Sequence, residues 1–190
     1  MLMDPRALLF LLLSFCFGLF LLTQAHAETI TGRASVIDGD TLEIAGKRIR
    51  LHGVDAPESS QTCTDSRGVK YRCGQRAAFA LADKIGSRPV SCSARDTDRY
   101  GRIVAVCSQR DADLNAWLVA EGHAVAYRQF SKDYVPQENA ARADKRGIWA
   151  GSFTPPSEYR KGGHKASEAS PDDWIVGRVL RMLDKLARLL

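Results

Sequence analysis

Residues 36–58 read VIDGDTLEIAGKRIRLHGVDAPE, and the alternation inside this stretch decides how the rest of the chain folds around it. Asp38-Gly39-Asp40 is turn chemistry, because Asp and Gly tolerate backbone geometry that other residues resist. Thr41-Leu42-Glu43-Ile44 alternates polar with apolar, Ala45-Gly46-Lys47 reverses the chain, and Arg48-Ile49-Arg50-Leu51 alternates again. That pattern predicts a β-hairpin. Two strands joined in this way bring Asp40 towards Asp55, with Arg50 between their ends. A hard cation such as Ca²⁺ seeks carboxylate and carbonyl oxygens, so two aspartates with backbone carbonyls suit one. Arg50 adds a fork of donors matched to a phosphate. A turn aspartate has a plainer use as well, since Asp38 can satisfy its own turn. That use does not account for an arginine on the neighbouring strand.

Further along, residues 96–102 read DTDRYGR. Taken in order, DGDT at 38–41, RLHGVDAPE at 50–58 and DTDRYGR resemble the motifs of the staphylococcal nuclease (thermonuclease) family, and the resemblance runs over about residues 30–149. It implies that Asp40 and Asp55 ligate one Ca²⁺ together with the backbone carbonyl of Ala56, where the family usually carries Thr. A carbonyl ligand survives that change. Asp38 would stand behind these groups, holding them or a water in place. Glu58 matches the family's catalytic glutamate, the general base towards the attacking water. Arg50 and Arg102 match its two arginines, which bind the phosphate and stabilise the charge that builds on it. Tyr100 shares the turn of Arg102 and would contact the substrate phosphate, with Thr41 and Tyr127 assisting. The implied activity is Ca²⁺-dependent hydrolysis of phosphodiester bonds in DNA and RNA, leaving 3′-phosphate ends. The alternative is a nucleic-acid-binding module that keeps the barrel and has lost catalysis, since a fold does not fix function. The full set Asp40, Asp55, Arg50, Glu58 and Arg102 favours catalysis, because a binding module has no use for both the acidic site and the glutamate.

The chain has 190 residues, enough for one domain with flanking segments. Arg6, an apolar run at 7–22 and Ala25-His26-Ala27 predict a secretory signal peptide over residues 1–27. Export to the periplasm or the medium follows. Residues 1–27 hold one acid, Asp4, and one base, Arg6, so removing them leaves the formal charge of +5 unchanged. The isoelectric point near 9.1 draws the chain to polyanions, with single-stranded DNA and RNA as the implied partners. Four cysteines then remain, Cys63, Cys73, Cys92 and Cys107, an even number that suits an exported, disulfide-bonded chain. Sequence allows three pairings, and the predicted strands at 90–95 and 102–108 narrow them. Cys92 and Cys107 lie equally far from the intervening turn and should face each other, which leaves Cys63 for Cys73.

Residues 28–37 predict a strand before the hairpin, and 59–71 a polar surface loop. Ala78, Phe79, Ala82 and Ile85 fall at helical spacing within 75–85. Asp113 caps a second helix bearing Leu114, Trp117 and Leu118, and Gly122 stops it. Pro136 opens a third helix, 136–145, closed by Gly147. Strands first and helices after give an α+β domain over 28–153. The family resemblance implies an OB-type five-stranded barrel with three α-helices. Trp117 and Trp149 are expected to plug its core. His52, His123 and His164 have no partner at metal-ligand spacing and are read as structural or solvated. Residues 154–170, rich in Pro, Gly, Ser, Lys and Glu, read as a linker. Residues 171–190 then return to helical periodicity, with Ile175, Val179, Leu183, Leu186 and Leu190 on one face and basic residues on the other. Such a basic amphipathic helix can pack on the domain, self-associate, or lie on an anionic membrane surface.

Overall fold

Strand β1 (Thr29–Asp38) is the spine of the sheet: it pairs antiparallel with β2 (Thr41–Ile44) on one side and with β7 (Pro89–Thr97) on the other. These strands belong to residues 28–162, which the computed structural model describes. The expected signal segment 1–27, the later part of the linker and the helix at 171–190 lie outside the described residues.

The hairpin from β2 to β3 (Lys47–Leu51) turns on Ala45 and Gly46, whose φ angles of 50° and 76° are both left-handed. Turns of that hand match the twist of the strands they join. Period-two alternation sends Leu42, Ile44, Ile49 and Leu51 inward, each at most 1% exposed, and leaves Arg48 and Arg50 on the outer face. β8 (Ile103–Gln109) pairs antiparallel with β7, then runs parallel to β3 with Arg50 opposite Val104. This last pairing closes β3-β2-β1-β7-β8 into the five-stranded barrel, which removes the exposed edges an open sheet would keep. Leu81, Ile85, Val90, Ala105, Leu114 and Leu118 complete the packed interior.

Short strands β4 (Val54–Asp55) and β10 (Val125–Ala126) pair with each other beside the barrel, and β9 (Ala112–Asp113) pairs antiparallel with the end of β8. Helix α1 (Cys73–Ile85) starts two residues earlier than its apolar spacing implies. Its buried side is Cys73, Gly74, Ala77, Ala78, Leu81 and Ile85, whereas Phe79 and Ala82 are only half-buried. Helix α2 (Leu114–Ala120) is capped by Asp113, whose carboxylate accepts from the Ala116 N–H at 2.9 Å. Buried Asn115 beside it accepts from Cys107 N–H and donates to the carbonyls of His52 and Ala105, tying α2 to β8 and to the end of β3. Helix α3 (Val135–Ala143) carries Pro136 in its first turn. Gly147 opens a 3₁₀ turn, Gly147–Ala150, instead of merely closing α3.

Both expected disulfides are formed, Cys63–Cys73 and Cys92–Cys107. Cys92 and Cys107 are direct partners across β7 and β8. The segment expected as a plain surface loop contains a small hairpin, β5 (Thr62–Thr64) with β6 (Lys70–Arg72). Asp65 holds its turn by accepting from the N–H groups of Arg67 and Val69. Three-residue polar strands leave too little alternation to read; the disulfide and the Asp65 turn hold them. The two tryptophans sit at the margin of packed clusters rather than plugging the barrel. Trp117 lies under Lys84 Nζ at 5.1 Å, and Trp149 under the Arg142 guanidinium at 4.1 Å.

The domain also runs past residue 153. A fourth helix, α4 (Pro156–Lys161), forms where a linker was expected, and the chain leading into it is fastened by Gln61 Nε2, which donates to the Thr154 carbonyl at 2.7 Å. Proline in the first helical turn is favourable because its missing N–H has no partner there in any case. The surrounding Gly, Ser and Lys residues disguise six helical positions as linker.

Candidate active site

The turn after β1 sets the first aspartates. Asp38 Oδ1 accepts from the Asp40 N–H at 3.0 Å, so the turn is partly self-satisfied, as an Asx turn is. Asp40 is buried (4% exposed) and each of its oxygens accepts at least one hydrogen bond. Oδ1 accepts from Thr41 Oγ1 at 3.2 Å and Arg50 Nη1 at 2.5 Å, and Oδ2 accepts from the Ala56 N–H at 3.0 Å. Asp55 lies on β4, also buried, and Arg50 Nη2 reaches its Oδ1 at 3.4 Å. Arg50 therefore bridges the two carboxylates, as its outward position on β3 allows.

Glu58 follows three residues after Asp55, held by the start of α1. The Glu58 N–H donates to Gln61 Oε1, and the Gln61 N–H donates back to the Glu58 carbonyl at 2.7 Å. Gly74 abuts that same carbonyl so closely that a Cβ there would stand 1.8 Å from the Glu58 oxygen. A glycine in the first turn of α1 is thus what lets the helix approach the backbone of Glu58.

An open cleft of about 860 Å³ is lined by Asp38, Asp40, Arg50, Ala56 and Glu58. Tyr100 and Arg102, from the turn between β7 and β8, line it too, as do Tyr127 and Phe130. Arg102 does not reach Asp40 or Asp55. Its Nε donates to Asp98 Oδ2 at 2.7 Å and its backbone N–H to Asp98 Oδ1 at 2.9 Å, which fixes the turn that carries it. Burial alone would raise the Asp98 carboxyl, but the hydrogen bonds from Arg102 and Tyr100 outweigh it and hold Asp98 below the usual carboxylate range. Tyr100 is 69% exposed beside this turn. Tyr127 lies between Arg50 and Arg160, with each guanidinium carbon just under 6 Å from its ring centre. The segment bearing Tyr127 is anchored by its neighbour Arg128, which donates to buried Glu138 on α3; Arg142 pairs with the same carboxylate. His52, read as structural or solvated, pairs with Asp133 at 3.3 Å.

Two expected residues are absent from the cleft lining. Thr41, expected beside the substrate, is 2% exposed, and its hydroxyl is spent on Asp40. Asp55 is 1% exposed, and what covers it is Arg160 of α4. Arg160 is the functional-site residue that sequence spacing did not reveal. It comes from a supposed linker 105 positions from its partner, and only the Pro155-Pro156 start of a short helix hinted at order there.

The donor set fits a hard cation. It consists of oxygens alone, and a cationic group, the Arg160 guanidinium, already lies against both Asp55 oxygens and Glu58. Among the described residues no three Asp, Glu, His or Cys side chains form a group that could hold a metal ion by themselves. Negative charge is crowded as well: burial first, and then the charge of Asp40, push the Asp38 carboxyl up to about 7. Burial likewise raises Asp55, against the opposing hydrogen bond from Arg160.

The sequence profile described as "Staphylococcal nuclease homologue" matches residues 48–151. The chain is similar to the succinoglycan biosynthesis protein ExoI of Rhizobium meliloti, 48% identical over 126 residues that cover 65% of this chain and 66% of that one. An uncharacterized endonuclease of Haemophilus influenzae is 32% identical over 134 residues, covering 66% of this chain and 70% of its own length. Micrococcal nuclease of Shigella flexneri is 32% identical over 132 residues, with 60% and 70% covered.

Proposed function

Because this chain belongs to the staphylococcal nuclease family, we propose that its cleft hydrolyses the phosphodiester bonds of single-stranded DNA and RNA with Ca²⁺ bound at Asp40 and Asp55, leaving 3′-phosphate ends. The observation that carries this reading is the meeting, in one cleft, of Asp40, Arg50 and Glu58, with the Arg50 guanidinium bridging Asp40 to the buried Asp55. Asp40, Asp55 and the carbonyl of Ala56 would hold the ion, with Asp38 and Thr41 keeping Asp40 in place. When bound, the ion supplies positive charge beside the scissile phosphate.

The remaining work falls to the chain's own side chains. Glu58, 21% exposed at its side chain, takes the proton of the attacking water. Arg50 and Arg102 approach the phosphate within the cleft and stabilise charge as it develops there. Tyr100 and Tyr127 flank the strand, offering a phenol to phosphate or a ring face to a base. The two disulfides support the expected export, since such bonds persist in oxidising compartments. Residues 1–27 would direct that export, and 171–190 would form the basic amphipathic tail.

Exchanging Glu58 for Gln separates an enzyme from a binding module. Glu58→Gln is nearly isosteric yet cannot accept the proton, so cleavage of a labelled single-stranded oligonucleotide should fall on the order of a hundredfold or more, with binding retained. Unchanged cleavage in a folded Glu58→Gln protein would remove Glu58 from the chemistry.

A further inference from the structure

Arg160 has no part in the reaction proposed above, yet it makes the most extensive set of contacts at the site. Nη1 donates to Asp55 Oδ1 at 2.9 Å and to Glu58 Oε1 at 2.8 Å. Nη2 donates to Asp55 Oδ2 at 3.1 Å and lies 3.5 Å from the Tyr127 hydroxyl. Both oxygens of Asp55 are therefore forked by one guanidinium, the strongest geometry an arginine offers a carboxylate. The side chain is 35% exposed and sits one residue from the end of α4, so it borders solvent on the cleft side. The base of the helix is fixed by buried Pro156, by the Gln61 bond to Thr154 and by the pairing of Ser152 with Thr64.

We propose that Arg160 is a resident counter-cation that occupies the carboxylates of the metal-free site and must leave them when a divalent cation binds, so that α4 sets the metal affinity. The proposal rests on the reading of Asp40 and Asp55 as a cation site. Among the described residues, a buried Asp55 with neither metal nor Arg160 would keep only the 3.4 Å contact to Arg50, a costly state for a carboxylate. The guanidinium removes that cost, but it takes the oxygen positions a divalent ion needs and places a like charge beside it. The two occupants exclude each other. A site that is competent for only a fraction of the time binds its ligand more weakly by that fraction. If Arg160 is engaged in nine of ten metal-free molecules, Ca²⁺ affinity is reduced about tenfold.

The test is calorimetric titration of the full chain with Ca²⁺, without nucleic acid, on wild type, Arg160→Gln and Arg160→Lys, with thermal melting of each in chelator and in Ca²⁺. Arg160→Gln should bind Ca²⁺ about tenfold tighter or more, and should melt lower than wild type in chelator while regaining most of the difference in Ca²⁺. Arg160→Lys keeps a charge without the fork and should bind with intermediate affinity. A merely structural arginine would lower melting in both conditions and never tighten metal binding. Equal or weaker Ca²⁺ binding by both variants, with wild type binding normally, overturns the role of Arg160 alone. Absence of Ca²⁺ binding in all three proteins overturns it together with the cation site itself. Should Arg160→Gln fail to fold, the comparison of Arg160→Lys with wild type decides by the same criterion.

Discussion

Replacing Gly74 by alanine separates placement of Glu58 from its chemistry, because nothing chemical is removed. The new Cβ would stand 1.8 Å from the Glu58 oxygen, 2.4 Å from its carbonyl carbon and 2.8 Å from the Pro57 oxygen, all backbone atoms. Reaching even 3.0 Å requires the helix start and the Glu58 backbone to part by about 1.2 Å (3.0 − 1.8). The Cys63–Cys73 bond and the Gln61 contacts hold both sides of that gap, so Glu58 has to move. A misplacement of about 1 Å at a catalytic group costs on the order of a hundredfold in rate, and overpacking of this kind costs about 1–3 kcal/mol in stability. Helix propensity alone predicts the reverse sign, since Ala is more favourable than Gly inside a helix by about 1 kcal/mol. Urea denaturation and single-turnover cleavage of a fluorescent oligonucleotide measure the two effects. A Gly74→Ala protein at least as stable as wild type and equally fast would refute the reasoning, because the backbone contact would then not be what seats Glu58.

Arg102→Ala should depress turnover far more than substrate affinity, on the order of a hundredfold, and Arg102→Lys should recover little, since Lys lacks the fork. A change confined to KM would limit Arg102 to ordinary binding. The raised carboxyl of Asp38 makes stability depend on pH: its folded value, about 7, lies above the ordinary 3.8, so the contribution is complete below 3.8 and is lost as pH rises towards 7. Wild type should therefore lose stability relative to Asp38→Asn across that window, read by urea midpoints at several pH values. Parallel pH profiles for the two proteins would count against a half-buried Asp38 that titrates near neutrality.

The barrel was legible where local pattern and global fold agree. The hairpin of residues 41–51 combines clean alternation with a turn that only a few residues accept, and the Cys92–Cys107 pair follows from its symmetric placement about a second turn. The parallel closure of β3 on β8 has no local signal, because it joins strands more than fifty residues apart, and the family resemblance supplied it. Helical spacing points to Phe79 where the core takes Leu81, because such neighbours differ only by which side of α1 meets the barrel. The acidic residues and Arg50 stand together in sequence because they lie on one hairpin and the strand after it, so their grouping survived translation into three dimensions. The resemblance implied a substrate-side role for Thr41, whereas its buried hydroxyl donates to Asp40. Arg160 was invisible for a different reason: a single arginine in a polar, proline-containing segment carries no periodicity, and its meaning lies wholly in a contact made across the domain.

The central claim, a nuclease built on an oxygen-ligated cation, meets its most direct test in one incubation series. The full chain is mixed with single-stranded DNA in Ca²⁺, in excess chelator, and in chelator with Ca²⁺ restored, and the new ends are assigned by mass spectrometry. A Ca²⁺-dependent nuclease gives 3′-phosphate products in Ca²⁺, none in chelator and full recovery on restoration, with Asp40→Asn and Asp55→Asn proteins silent throughout. Undiminished cleavage in excess chelator, or cleavage by a folded Asp55→Asn protein at the wild-type rate, would contradict it.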